Sequence, residues 1–222
     1  MNKEYFISLH SKRREDILLM CGHSDQRAPM RSDEFRDETE KGMSVLKILC
    51  LIERCREQWR EDGAGEISWS LLAELTNNLS ISGMAFINIQ DPIFEDVEQK
   101  ASAIVEEYCL KTEQYLPKSR AEILRILFES LVLEIKAIFL DQSEDYVGDQ
   151  AILYTMGLYD INELLCQWIA DAIQIEVKTV PTEVTVSEKT FTPNTGRCWE
   201  TYEKMFRLLK LSVVSRNTNI LK

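Results

Sequence analysis

Glycine is scarce: the 222-residue sequence has eight, none adjacent to another, roughly half of the usual ~7%. Sites that cradle phosphate on backbone N–H groups draw on glycine clusters. The nearest approach to one is Gly63-Ala64-Gly65. No further glycine follows it at the spacing of a dinucleotide loop, and no Walker loop is present. Histidine is scarcer still, with two residues, which excludes a His-rich metal site; no metal ligand set is expected. Positive charge is in deficit, the net charge being −11. Such a chain is a poor partner for nucleic acid, whose affinity rests on cationic contacts to phosphate. No apolar run approaches the ~18 residues of a membrane span. The first residues, MNKEYFISLHSKRRED, lack the apolar core of a signal peptide, so the expected location is the cytoplasm. No Cys-x-x-Cys occurs among Cys21, Cys50, Cys55, Cys109, Cys166 and Cys198. In that compartment they read as six small buried or half-buried thiols, not a disulfide framework.

What is present is a globular composition: 45% apolar, 28% charged, with four Trp, seven Tyr and eight Phe. The length suits one large domain or two small ones with a real core. Residues 4–10 read as a strand. A polar turn at 11–15 follows, then a second strand over 16–21, together a hairpin. Residues 22–36 read as irregular. Helical periodicity then runs over 37–61, with Val45, Leu46, Ile48, Leu49, Ile52, Cys55 and Trp59 on the apolar face, and Gly63 and Gly65 stop it. Ser70 is expected to cap a short helix to Thr76. Residues 77–95 read as a loop with an apolar stretch at 84–89, and 96–114 as a helix. Beyond Pro117, Ser119 with Glu122 forms a capping box for a long helix to Leu140, apolar on most sides and hence a core helix. The last third alternates: strand 151–156, helix 162–173, strand 175–180, helix 198–211. A hairpin followed by alternating helices and strands argues a mixed α/β layer fold without an internal domain boundary.

The string Asn162-Glu163-Leu164-Leu165-Cys166-Gln167, with Ala170-Asp171-Ala172, resembles the C-terminal lobe of FGGY-type carbohydrate kinases, and within them the rhamnulokinase branch. Other stretches fall in the family's order. Cys55-Arg56-Glu57-Gln58-Trp59 resembles a helix end, and Ser68-Trp69-Ser70 with Leu72 the next start. Asp91-Pro92 with Phe94 follows. Arg120-Ala121-Glu122-Ile123-Leu124-Arg125 with Phe128-Glu129-Ser130-Leu131 resembles the long helix. Pro181, Glu183 and Thr185 come next, and Trp199-Glu200-Thr201-Tyr202 with Phe206 resembles the last helix. The resemblance runs from about residue 4 to 210. It implies a single domain over residues 1–222: an actin-like, ribonuclease-H-like ATPase lobe with a mixed sheet flanked by helices. It further implies binding of ATP with Mg²⁺, and transfer of the γ-phosphoryl group to a sugar such as rhamnulose bound by a separate N-terminal lobe.

Against that pattern, the sequence starts after the point where the family places its catalytic aspartate. The sugar-binding lobe and the general base are therefore expected to be absent, and no catalytic residue is assigned. Gly22-His23-Ser24-Asp25 reads as an ordinary polar loop. Where the family has a Ser-Gly-Thr-type phosphate loop, Leu9-His10-Ser11 stands, and only the Ser11 hydroxyl survives; a Cβ in place of glycine hinders close approach of phosphate. Lys12, Arg13 and Arg14 in that turn are candidate phosphate contacts, as point charges or forks, or else a solvated basic turn beside Glu15 and Asp16. Val45 and Glu53 stand where the family has amides, and a glutamate facing phosphate would repel it. One glycine, Gly157, remains in the adenosine-binding turn, and Glu188 replaces the small residue expected to open a helix after Thr185. The matched residues read mostly as structural. Leu164, Leu165, Ala170 and Ala172 pack on the sheet, Trp59, Trp69 and Trp199 are core anchors, and Glu129 and Asp171 are helix-surface charges. Three functions follow as expectations. The chain is a kinase lobe completed by a separately supplied sugar-binding lobe, or a catalytically inactive kinase-like binding module docking a complete kinase chain or itself, or a truncated remnant. An inter-lobe face left in water favours association.

Overall fold

The computed structural model describes residues 3–10, 18–24, 39–65, 67–77, 79, 83–96, 99–142, 151–156, 163–179, 189–194 and 199–219. They form two compact units, Met1–Leu46 with Glu134–Arg197, and Lys47–Leu133 with Cys198–Lys222. The division falls inside two helices, α1 (Thr39–Trp59) and α4 (Arg120–Gln142).

The first unit is built on a five-stranded mixed sheet. Strands β1 (Lys3–His10), β2 (Leu18–Ser24), β3 (Ala151–Met156), β4 (Glu176–Thr179) and β5 (Thr190–Phe191) lie in the order β2-β1-β3-β4-β5. β1 is antiparallel to β2 and parallel to β3. β3 is parallel to β4, and β4 antiparallel to β5. The second strand is thus shifted from the expected 16–21. The register His10↔Leu18 through Glu4↔Ser24 gives the reversal residues 11–17, and the pairing extends through Gly22-His23-Ser24, which are strand and not loop. β5 escapes sequence reading because two residues show no alternation. Helix α5 (Glu163–Ile173) packs on β4 and β5. Its Leu165, Cys166, Trp168, Ile169, Ala170 and Ala172 are buried while Glu163 is exposed, the one-sided burial that drives an amphipathic helix onto a sheet.

The second unit is helical. α1 runs to Trp59 and continues as a single wide turn, Arg60–Ala64, in which Gly63 (φ 89°) and Gly65 (φ 74°) carry the chain out of the helix as expected. α2 (Trp69–Asn77) starts one residue earlier than Ser70 because Ser68 caps it: Ser68 Oγ accepts from Leu71 N at 3.2 Å. The side chain of Trp69 lies outside the described residues. Asp91 caps a 3-10 turn over Pro92–Glu95, accepting from Ile93 N at 3.1 Å. Asp96 then accepts from Gln99 N at 3.2 Å. These local bonds compete with helix, so α3 (Ala101–Lys111) begins later than 96. Ser119 caps α4 as expected, its Oγ accepting from Glu122 N at 3.2 Å, while Glu122 Oε2 accepts from Lys118 N at 2.5 Å, one residue before the N–H that a capping box uses. α4 is buried almost all round between Ile123 and Phe139. The last helix is α6 (Trp199–Asn219), anchored by buried Trp199 and Phe206.

An extended segment, 83–89, runs through this helical core outside any sheet described. A buried backbone must find partners, and here side chains supply them. Gln114 pairs with Phe86 in both directions, Oε1 accepting from Phe86 N and Nε2 donating to Phe86 O, each at 2.9 Å. Ser130 Oγ accepts from Ile87 N at 2.9 Å, and Tyr108 OH from Asn88 N at 3.1 Å.

Candidate functional site

The sheet of the first unit determines where a ligand could sit. β1, β3 and β4 are mutually parallel, and their ends are in register at one edge: Ser8 opposite Met156, Thr155 opposite Thr179. Open α/β sheets bind ligands beyond the carboxyl ends of their strands. The chain leaves this edge at 11–17, 157–162 and 180–188. The candidate phosphate contacts Ser11, Lys12, Arg13 and Arg14 follow β1 directly, and Gly157 follows β3. These five residues, with Thr185 and Glu188, lie outside the described residues; what the structure brings together is the strand ends that carry them. A helix was expected to open near residue 188. Residues 189–194 are instead β5 and an extended strap, because β4 captures them: Thr179 N donates to Lys189 O at 2.9 Å, and Lys189 N to Thr179 Oγ1 at 2.8 Å.

Two matched carboxylates are not surface charges. Asp171 is 5% exposed. Its Oδ1 accepts from Gln167 Nε2 at 2.8 Å and from Asn194 N at 2.9 Å. Gln167 Nε2 also donates to Thr192 O at 2.8 Å. Glu129, in the second unit, is 1% exposed and Arg125 3%. Arg125 Nε donates to Glu129 Oε1 at 2.6 Å, and Arg125 NH1 to Thr76 O at 2.7 Å. Glu129 Oε2 accepts from Gly83 N at 2.8 Å. Each carboxylate holds a backbone amide that lies outside any ladder, Asn194 beyond β5 and Gly83 at the start of the extended segment, which is why burial outcompetes solvation here. The signal in the sequence is an i,i+4 polar pair inside a largely apolar helix: Arg125 with Glu129, Gln167 with Asp171.

Of the two residues standing where the family has amides, Val45 is fully buried. Glu53 is held by Arg56, whose NH1 reaches both carboxylate oxygens at 2.7 and 2.9 Å; its charge is thereby offset. Trp59 and Trp199 are core, as expected. Cys55, Cys109 and Cys166 are buried and Cys50 is exposed, all four as free thiols. Burial pushes the Cys55 and Cys109 thiols up to about 12, and burial, helped by Glu53, raises Cys50 as well. A cavity between Gly83, Met84, Tyr115, Arg125 and Glu129 measures about 10 Å³, room for about one water and no substrate. Among the described residues, no three His, Cys, Asp or Glu side chains converge as metal ligands. No helix among them is long and apolar enough to cross a membrane.

The chain is similar to rhamnulokinase of Bacteroides thetaiotaomicron, 32% identical over 149 residues covering 66% of this chain and 29% of that protein. It is 33% identical to rhamnulokinase of Oceanobacillus iheyensis over 92 residues, 40% of this chain and 19% of that one. The chain therefore spans less than a third of the length of either relative. The structure of xylulose kinase from Rhodospirillum rubrum superposes with a TM-score of 0.49 at 10% identity, covering 99% of this chain and 47% of that one. No family model matches the chain. The chain thus carries a carbohydrate-kinase-like region.

Proposed function

We infer that this chain is the nucleotide-binding lobe of a rhamnulokinase-like carbohydrate kinase, an actin-like module that takes part in ATP-dependent phosphorylation of a sugar such as rhamnulose. The observation that carries this reading is the 32% identity to a rhamnulokinase over 149 residues. The edge at which β1, β3 and β4 end side by side is consistent with it. Ser11 and the basic run Lys12, Arg13 and Arg14 would meet phosphate there, and Gly157 the adenosine portion. The cations substitute charge for the glycine backbone that the turn lacks: a guanidinium grips phosphate oxygens as a fork, an ammonium as a point charge. Bound Mg²⁺ would supply further neutralisation of the phosphate charge. The sugar and the general base belong to a sugar-binding lobe that these 222 residues do not supply. On this reading catalysis needs that lobe as well.

A second reading is a catalytically inactive kinase-like module or remnant, associating with a complete kinase chain or with itself. It is favoured by His10 at the phosphate-loop glycine position and by the structural use of Glu129 and Asp171. The two readings separate in one assay. The purified chain is mixed with the N-terminal segment of a rhamnulokinase, and ADP release from Mg-ATP is followed with and without rhamnulose. Sugar-dependent ADP release above that of either component supports the first reading. A stable complex that releases no ADP supports the second.

A further inference from the structure

β2 is an edge strand. It pairs with β1 on one side, and among the described residues no strand pairs with it on the other. In an antiparallel pair alternate residues bond the neighbour, and the rest aim N–H and C=O outward. Such an edge is a template for another strand, and proteins blunt it with charge, proline, a bulge or brevity. β2 has none of these. Its sequence, Leu18-Leu19-Met20-Cys21-Gly22-His23-Ser24, holds no Lys, Arg, Asp, Glu or Pro, in a chain that is 28% charged. Its register with β1 runs unbroken over all seven residues, from Glu4↔Ser24 to His10↔Leu18, so no bulge turns the edge away. The opposite edge of the sheet, β5, is two residues long and is protected by its brevity.

The occupant follows from two features. A foreign extended segment is selected by side-chain pockets and charges along an edge, and β2 has no charge to offer one. A copy of the same strand needs none. Across a two-fold axis each outward N–H meets an outward C=O of the copy, and a strand without charged residues sets no like charges against each other. The unequal edges also close the assembly. β2 on β5 would repeat head to tail as an open fibre, and two residues are too few to hold it. We propose that this chain forms a two-fold dimer by antiparallel pairing of β2 with β2 of a second copy, joining the two five-stranded sheets into one. The register that pairs all seven residues is centred on Cys21. Leu18 then lies opposite Ser24 of the copy, Leu19 opposite His23 and Met20 opposite Gly22. It makes about six to eight inter-strand hydrogen bonds. Only backbone groups are used, so the pairing stands under either reading of the function.

Sedimentation of the full chain is expected to show monomer at about 1 μM and dimer at about 100 μM, a Kd on the order of 10 μM. Monomer at both concentrations overturns the proposal, and so does growth into larger assemblies, which the short β5 edge forbids. Hydrogen exchange at the same two concentrations locates the contact. Amides in 18–24 are expected to exchange about tenfold more slowly in the concentrated sample; protection gained elsewhere, with 18–24 unchanged, overturns the proposal. Cys21→Lys sets two ammonium groups directly opposite each other, and Met20→Lys sets them on the diagonal, so each is expected to weaken dimerisation about tenfold or more. Successive strand residues face opposite sides of a sheet, so a packing loss in one variant is spared in the other. A variant that keeps the parent's circular dichroism and dimerises as the parent does overturns the proposal. Should neither variant fold, exchange in the parent chain decides.

Discussion

Removing the guanidinium of Arg125 leaves Glu129 as a carboxylate 1% exposed to solvent that still accepts from the amide of Gly83. Breaking a buried ion pair from one side costs about 3–5 kcal/mol. Arg125→Ala is therefore expected to destabilise by that amount. Glu129→Ala should cost a similar amount, because it strands the guanidinium. Replacing both, as Arg125→Met with Glu129→Leu, removes the charges together. The amide of Gly83 and the carbonyl of Thr76 then each lose one charged partner, at about 1–3 kcal/mol for each buried backbone group. The double replacement should thus cost about 2–6 kcal/mol, below the sum of the single losses by several kcal/mol. Urea unfolding followed by tryptophan fluorescence, with far-ultraviolet circular dichroism as a second probe, measures all three. A loss under about 1 kcal/mol for Arg125→Ala, the value of an exposed pair, would refute the reasoning. So would strict additivity of the single losses.

Gly83 has φ 65°, and a Cβ there would lie 2.1 Å from Tyr202 Cε1. Gly83→Ala should cost about 2–4 kcal/mol from left-handed strain and overpacking; in a Tyr202→Ala background the overpacking part should vanish, leaving about 1–2 kcal/mol in the same unfolding assay. Tyr108→Phe deletes the hydroxyl that accepts from Asn88 N and should cost about 1–3 kcal/mol; a melting temperature equal to the parent's would count against side-chain support of the 83–89 segment. Iodoacetamide at pH 8 should modify Cys50 well before Cys55 and Cys109, whose thiols are pushed up to about 12 by burial and hold only about 1 part in 10⁴ as thiolate. Raising the pH should speed labelling of Cys50, and peptide mass spectrometry that found Cys55 modified first in the native protein would contradict its burial.

The long elements were legible because their signals are redundant. α4 combines a capping-box sequence, an apolar surface on nearly every side and a proline before it. α5 has a one-sided apolar stripe, and the glycines after α1 mark a stop. The shifts arose where tertiary pairing overrides local pattern. β2 extends through Gly22-His23-Ser24 because β1 offers it partners, and β5 exists because β4 does. Glu129 and Asp171 were misread as surface charges because a carboxylate at helical spacing does not announce its environment. Their i,i+4 partners Arg125 and Gln167 were the available signal. The partners of the 83–89 segment, Gln114, Ser130 and Tyr108, come from two helices and the turn after α3 and leave no local trace. For the candidate site, the edge of the sheet could be inferred from the hairpin and the alternating elements. The residues that would touch phosphate came only from family resemblance, since no backbone rule places a cation run on a ligand.

The central claim is that the lobe holds nucleotide despite its altered phosphate turn, and isothermal titration of the purified chain with ATP, with and without Mg²⁺, tests it most directly. The account predicts saturable Mg²⁺-dependent binding in the micromolar range, a free energy of about −8 kcal/mol at 1 μM, lost when Lys12, Arg13 and Arg14 are replaced together by alanine. Absence of heat up to millimolar ATP, or binding indifferent to that replacement, would contradict it. In the first of these cases the chain is a kinase-shaped binding module or a remnant.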